Sequence, residues 1–436
     1  MTPPDAESKF PSSFWSANLT ELFERGAYYA MASFLVIYLG QLGFGDYWPS
    51  FLNSVLWGLV YFLPLVSGAI ADHIGFRKSL LLSFIMVCGG YFAMGYPVWV
   101  GGSTLTGTAG KSFTASLDVI IPVALGILLI GVSGSFVKPC IAGTVQKTSG
   151  ARKTLGFAIF YMIINIGSLF GRFVSYTVRR SEGFDLSSIF LVSLGASVIA
   201  FLTVLFFYKD PDADELRKEP KQSKSVKEIL LGIVKVLSNR RFVTFLVIAS
   251  GFNMIYSQVY NLLPLYTRKT VELTAAMDLY TAANPLIIVV FQLVITRAFG
   301  KLPAIKSITI GIITLAVAML INIVPLYMAG GVTQVVGNLI PLGSLFIIMT
   351  VALIAFGELF KSGRLYEYIG SFAPKGQEGL FQGYAQLPMA IGVIVGGPVG
   401  ALIFNEVMCH KATTLPSGLL VLDKTQATFG WLILAG

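Results

Sequence analysis

Long apolar stretches alternate with short polar, mostly basic connections along the whole chain. Hydropathy and turn signals predict membrane spans at about 14–43, 48–72, 78–97, 117–146, 154–178 and 187–208. A polar, Lys-rich stretch follows from Lys209 to Arg241, with Asp-Pro-Asp-Ala-Asp and Lys-Glu-Pro-Lys inside it. It reads as a cytoplasmic linker with one surface helix near Val226 to Leu237. Five further spans are expected at about 242–265, 274–299, 304–328, 338–367 and 378–406, and a twelfth starts near Thr428 and stops short of crossing length at Gly436. The layout is an N-terminal bundle (1–208), a linker (209–241) and a C-terminal bundle (242–436) with an incomplete last helix. The fold class is an all-α membrane protein: two six-helix bundles around a central cavity, the layout of major facilitator transporters.

Composition supports the bilayer as solvent. Of the 436 residues 55% are hydrophobic and 12% charged, and the mean hydropathy is +0.76. A soluble helix hides one apolar stripe, whereas these segments are apolar around their circumference. The first run extends beyond signal-peptide length and has no small-residue cleavage site, so it reads as a retained span. Gly (45) and Phe (33) suit closely packed helices with bulky outer faces.

The formal charge of +9 does not point to nucleic acid, because the bases lie between spans and form no patch interleaved with aromatics. Arg77, Lys78, Lys147, Arg152, Lys153, the linker bases, Arg297, Lys301 and Lys306 fall on one side. The other side has Lys111, Arg179, Arg180, Arg268, Lys269, Lys411 and Lys424. The excess places the N-terminus in the cytoplasm of a multi-pass cell-membrane (inner or plasma) protein.

Cys88, Cys140 and Cys409 show no disulfide or metal spacing. Catalysis is not expected: His73 and His410 stand near no candidate nucleophile. Gly110-Lys111-Ser112 fails as a phosphate loop because Leu105 occupies the position of its first Gly.

Charge inside spans is the stronger signal, since a charge near the bilayer centre costs at least about 2.5 kcal/mol unless it faces protein or water. Glu21, Glu24, Arg25, Tyr28 and Tyr29 form one polar stripe on span 1, with Glu24 and Arg25 on the order of 15 Å into the helix. Tyr61, Lys138, Tyr161, Asn165 and Glu358 fall at similar depths on spans 2, 4, 5 and 10. Such groups could simply fix helix register. Convergence from five helices favours a central binding site, where alternating-access transporters place theirs.

Between spans 2 and 3, Gly68-Ala-Ile-Ala71-Asp72-His-Ile-Gly75-Phe-Arg77-Lys78 resembles the major facilitator loop signature. Gly68 would allow close helix approach, Asp72 would accept hydrogen bonds, and Arg77 would anchor the cytoplasmic face, in gating or structural roles. Glu21-Leu-Phe-Glu24-Arg25-Gly-Ala-Tyr28-Tyr29 is similar to the E-x-x-E-R-F-x-Y-Y signature of the proton-dependent oligopeptide transporters, with Gly26 in the Phe position. Phe160-Tyr161-Met-Ile-Ile-Asn165-Ile-Gly167-Ser168-Leu169 resembles that family's F-Y-x-x-I-N-x-G-S-L. Gly134-Ser-Phe-Val-Lys138-Pro139, Asn284-Pro285 and Gly357-Glu358-Leu-Phe-Lys-Ser362 extend the likeness over nearly the whole chain.

The resemblance implies a proton-coupled symporter of di- and tripeptides or peptide-like zwitterions. In it Glu21, Glu24 and Arg25 take part in proton coupling, and Arg25, Tyr28, Tyr29, Tyr61, Lys138, Tyr161, Asn165, Asn284, Glu358 and Ser362 contact substrate. It further implies that Glu358 receives the amino terminus and pairs with Lys138. Protons are the coupling ion and no other cofactor is implied; the partners are a small-molecule solute and the lipid bilayer, and a monomer suffices.

Two departures stand out. The family often has an Arg where this chain has Ala32, and an acidic residue where it has Ser257. Those residues commonly pair, so losing both is expected to leave no orphan charge. The loss opens a second reading, transport of another amphoteric or anionic metabolite. A non-transporting sensor is a third, and no signalling module supports it.

Overall fold

The computed structural model describes residues 10–106, 112–149, 153–211, 231, 238, 240–299, 302–370 and 386–436. The sequence-predicted surface helix at 226–237 falls almost entirely outside them, as does the start of the eleventh span at 378–385.

Helix α1 (Ser12–Ala32) continues into α2 (Leu35–Leu39) through a 47° bend at Ser33 and Phe34. The second span is likewise broken, into α3 (Trp48–Phe62) and α4 (Pro64–Ile74), because Pro64 has no N–H to give the helix. The turn into α5 (Phe76–Trp99) passes through Gly75 at φ 90°, a left-handed conformation that only glycine takes without strain. Next come α6 (Leu117–Thr148), carrying Pro122 and Pro139, then α7 (Lys153–Arg180) and α8 (Ser188–Phe207).

Beyond the linker, α9 (Arg240–Tyr256) gives way to a tight turn at Ser257–Val259 and to α10 (Leu262–Tyr266). It is followed by α11 (Met277–Phe299), α12 (Ala304–Leu320), α13 (Val324–Tyr327), α14 (Leu342–Gly370), α15 (Leu387–Leu402) and α16 (Lys424–Ala435). Two small hairpins that hydropathy does not reveal join some of these helices: β1 (Val335–Val336) with β2 (Ile340–Pro341), and β3 (Thr413–Thr414) with β4 (Leu420–Val421). Helix α16 starts before Thr428, the expected position. The Asp423 carboxylate caps it, accepting from the N–H groups of Thr425 at 3.1 Å and Gln426 at 3.0 Å.

Among the described residues, eight segments are long and apolar enough to cross a membrane, and the bent pair α1–α2 makes a ninth. The broken second span, the eighth with its apolar stretch Met277–Gln292, and the twelve-residue α16 are not among them. Phe170, Phe173, Phe206, Phe207 and Val247 point outward from the bundle. Apolar outer faces on helices of this length mark a multi-pass membrane protein.

Helix α1 packs on α7 and α8, and α5 packs on α6 and α8. After the linker, α9 packs on α15, α12 on α14, and α11 on α14. The two groups meet where α3 crosses α15 and α7 crosses α11. These seams bring the intramembrane polar groups of α1, α3 and α7 towards those of α11 and α14.

Candidate functional site

The α1 stripe forms as the spacing predicts, and two of its three charges pair directly. Glu21, Glu24 and Arg25 are all buried. Arg25 turns one edge of its guanidinium to Glu24: Nη2 donates to Oε1 at 2.5 Å, and Nε donates to Oε2. Such a bidentate, charge-assisted pair is the strongest neutralisation available to a buried guanidinium. Glu21 sits 3.4 Å from Arg25 Nε, and neither of its oxygens accepts a hydrogen bond among the described residues.

Close helix contact holds this stripe in place. An added Cβ on Gly171 of α7 would lie 2.1 Å from the Gly26 carbonyl oxygen, so the two backbones touch. Gly26, the departure from the family signature, is therefore part of the α1–α7 seam.

Lys138 comes from α6 and is half-buried, with Nζ 4.1 Å from the Tyr61 ring centroid. Its ammonium shares the electrostatic environment of Arg25, Glu21 and Glu24. Tyr28 and Tyr61 lie on either side of Trp57, at 5.8 Å between centroids in each case, and Trp57 stands 5.0 Å from Tyr260 of the second helix group. Tyr29 reaches Tyr260 as well, at 6.4 Å. An aromatic layer thus joins the two groups.

Across this layer, Glu358 on α14 accepts a hydrogen bond from Asn284 Nδ2 at 3.2 Å. This corrects the expected Lys138–Glu358 pair: among the described residues no such ion pair forms, and Lys138 lies over the Tyr61 ring of its own helix group. Asn165 is buried and donates back to the Tyr161 carbonyl at 2.9 Å. Tyr161 packs across the seam on the cluster of Ile288, Ala355 and Leu359. The Ser362 side chain lies outside the described residues.

Two buried cations were missed by sequence reasoning. Lys361, one helical turn from Glu358, donates to Asn253 Oδ1 at 2.6 Å and lies 3.9 Å from the Phe252 ring centroid. It stands inside the quoted Gly357–Ser362 motif, where its depth beside Glu358 was signal enough. Arg172 on α7 is fully buried, with Cζ 4.4 Å from the Tyr29 centroid, and donates to Thr281 Oγ1 at 3.0 Å and Tyr260 Oη at 2.8 Å. It lies eleven residues past Tyr161 on the same predicted span, a position that marks it as intramembrane.

Neither member of the charge pair missing at Ala32 and Ser257 is left behind, yet Arg172 brings a separate cation close to those positions from α7. The guanidinium contacts Tyr29 and Tyr260, each three residues along the chain from one of the two positions, and among the described residues it has no ion-pair partner.

A family model described as Major Facilitator Superfamily matches residues 100–358, more than half of the chain. The chain belongs to the Major Facilitator Superfamily. Dipeptide and tripeptide permease A of Citrobacter koseri is 24% identical over 458 residues, covering 91% of this chain and 85% of that protein. An uncharacterized Bacillus subtilis transporter, YclF, is 28% identical over 205 residues, covering 45% of this chain and 37% of its own length. Solute carrier family 15 member 2 of Rattus norvegicus is 25% identical over 240 residues, covering 53% of this chain and 31% of its own length. The chain thus spans about a third of those last two relatives.

Among solved structures, the tetrameric transporter PepTSo2 superposes with a TM-score of 0.70 at 20% identity, covering 97% of this chain and 94% of that one. A POT family transporter in complex with 5-aminolevulinic acid superposes with a TM-score of 0.72 at 20% identity, covering 98% and 95%. These likenesses show the fold and a distant relationship to peptide transporters. Membership of a transporter superfamily agrees with the absence of catalytic signals in the sequence.

The facilitator loop signature between α4 and α5 is built around Arg77. Its backbone N–H donates to Asp210 Oδ2 at 3.3 Å and its Nη2 to the Leu205 carbonyl at 2.8 Å, tying the loop to the end of α8. Gly68 faces Pro139, and a Cβ there would sit at an ordinary 3.5 Å, so space does not demand glycine at this point. The Asp72 side chain lies outside the described residues.

The opposite end of the bundle is latched between the two helix groups. Ser33 and Thr281 share a hydrogen bond at 2.7 Å, and Arg179 Nη2 reaches both Asp278 oxygens at 3.1 Å. Lys269 pairs with Asp46.

Proposed function

We propose that this facilitator is a proton-coupled symporter of di- and tripeptides or peptide-like zwitterions, in the cell membrane with its N-terminus in the cytoplasm. The observation that carries the reading is the opposed charge across the aromatic layer. Arg25 and Lys138 stand on one side, and Glu358, steadied by Asn284, stands on the other. A zwitterion needs opposite partners at its two ends, so its carboxylate would go to Arg25 and Lys138 and its amino group to Glu358. Tyr28, Tyr29, Tyr61, Tyr161 and Asn165 would line the space between, with Ser362 beyond Glu358. Loose side-chain contacts would give broad specificity.

Coupling follows from the Arg25 pairing. Substrate cannot take Arg25 while Glu24 holds it, and a proton on that carboxylate releases the guanidinium. Glu21 can take a proton without giving up a hydrogen bond, which suits it to hand one on. One proton entering down about 100 mV supplies roughly 2.3 kcal/mol, enough for about fiftyfold accumulation of a neutral solute. The bundles 1–208 and 242–436 would rock about the linker, with the Ser33–Thr281 and Arg179–Asp278 contacts closing the outer side.

The test is accumulation of labelled dialanine in proteoliposomes under an inward proton gradient. Gradient-dependent uptake abolished by Lys138→Ala supports the reading, and no uptake by folded protein rejects it. A second reading, carriage of another amphoteric or anionic metabolite, draws support from the missing pair at Ala32 and Ser257. A POT family relative solved with 5-aminolevulinic acid gives it a precedent. Competition by unlabelled dipeptides against the true solute separates the two.

A further inference from the structure

Arg172 contains the same edge of donors that Arg25 uses on Glu24, its Nε and Nη2 groups. In Arg25 that edge holds a carboxylate. In Arg172 it is filled by two neutral hydroxyls from the other helix group, Thr281 Oγ1 at 3.0 Å and Tyr260 Oη at 2.8 Å. The remaining contacts stay within its own group: Nη1 donates to the Ser168 carbonyl at 3.2 Å and to the Ser168 hydroxyl, and the plane faces the Tyr29 ring. A guanidinium buried without an acid keeps its full charge to offer, and a carboxylate hydrogen bond is roughly twice as strong as a neutral one.

Charge in the core points the same way. Among the described residues, Arg25, Lys138, Arg172 and Lys361 are four cations against the three carboxylates Glu21, Glu24 and Glu358. Arg179 and Asp278, farther out, cancel each other. Arg172 lies over the Tyr29 ring and donates to Tyr260, so it stands on the aromatic layer that joins the two helix groups.

We infer that Arg172 is an anion-recognition residue of the translocation path. When the two helix groups part on the latched side, Thr281 and Tyr260 leave with the second group, and the emptied Nε/Nη2 edge receives a carboxylate of the incoming solute. The hydroxyls are placeholders that re-cover the cation on closure. The solute class favoured is one that carries a carboxylate beyond the zwitterionic pair, such as a dipeptide with an acidic side chain. This choice of solute rests on the transport reading above, whereas the anion-binding edge does not depend on peptides.

The test uses the full chain in nanodiscs with two probes. Sodium sulfate, balanced with sodium chloride at constant ionic strength, reports anion binding through thermal stabilisation. Ala-Glu and Ala-Gln, alike in size and different by one charge, report solute choice through binding competition. The expected result is saturable sulfate stabilisation that weakens about tenfold in Arg172→Gln. Wild type should prefer Ala-Glu to Ala-Gln about tenfold, and Arg172→Gln should bring that ratio near one. Thr281→Val, which removes a placeholder but no charge, should tighten sulfate binding, and it serves should Arg172→Gln not fold. Sulfate binding unchanged by Arg172→Gln, or weakened by Thr281→Val, overturns the inference. Arg172-dependent sulfate binding with neither dipeptide competing would leave the anion-binding edge standing and remove the peptide reading. Equal competition by both dipeptides in wild type and Arg172→Gln would keep the peptide reading and overturn the choice of an acidic solute.

Discussion

Asn284 and Glu358 face each other from α11 and α14 at 3.2 Å, so the carboxylate is held by an amide, and among the described residues it makes no ion pair, Lys361 one turn away donating to Asn253. An amide steadies a carboxylate without using up its charge, which leaves Glu358 ready for a substrate ammonium. Glu358→Gln keeps a hydrogen-bonding group there and removes the charge. The apparent affinity for dialanine should fall at least about tenfold, and that for N-acetyl-dialanine should change little. Equal losses for both peptides in a competition assay would mean that Glu358 does not read the amino terminus.

The two α1 carboxylates should separate in their behaviour. Glu24 holds Arg25 at both oxygens, whereas Glu21 only approaches it at 3.4 Å. Glu24→Gln strips a buried guanidinium of its partner and should lower unfolding stability by on the order of 3 kcal/mol. Glu21→Gln breaks no hydrogen bond and should leave the melting temperature within a few degrees of wild type. In transport, Glu21→Gln should lose acid-driven accumulation yet keep exchange of solute across the membrane. Retention of wild-type pH dependence by both variants would rule out α1 as the coupling site.

The span pattern and the α1 stripe were legible because each rests on a local period that the sequence carries directly. Glu21, Glu24, Arg25 and Tyr28 share a helix face whatever surrounds them. Pairings between helices were not legible in the same way. The expected Lys138–Glu358 bridge depends on how far two bundles stand apart, and the structure spends Lys138 on its own bundle. Arg172 shows the other limit: comparison at Ala32 and Ser257 reveals a missing pair, yet says nothing of a cation arriving from a third helix. The hairpins at 335–341 and 413–421 are too short to leave a period.

The α1–α7 seam gives a prediction about stability. Gly171→Ala would bring a methyl to 2.1 Å from the Gly26 oxygen, a backbone atom that cannot swing away. Gly26→Ala, by contrast, would find its nearest neighbour, the Gly167 oxygen, at 3.5 Å. Overpacking typically costs about 1–3 kcal/mol, while alanine returns up to about 1 kcal/mol in helix propensity. Gly171→Ala should therefore reduce the yield of monodisperse protein and its thermal stability, and Gly26→Ala should be neutral or mildly stabilising. The opposite order in a thermal-unfolding assay would show that the helices do not touch there.

The latch of Arg179 on Asp278 can be tested without knowing the solute. Arg179 spans both oxygens of Asp278 at 3.1 Å, and one turn deeper Ser33 meets Thr281 at 2.7 Å, so both contacts must break when the bundles part on that side. Asp278→Asn removes the charge from the first contact and leaves its shape. The closed arrangement then loses an interaction of roughly 1.5–3 kcal/mol, equivalent to a shift of about tenfold or more towards the open one. A single cysteine placed by Ser33→Cys, in a background lacking Cys88, Cys140 and Cys409, is buried in the closed arrangement and reports the opening. Its reaction with a membrane-impermeant maleimide applied from outside should quicken about tenfold when Asp278→Asn is added. An unchanged rate would mean that this ion pair does not hold the outer side shut, and acceleration only from the linker side would place the latch at the cytoplasmic face instead.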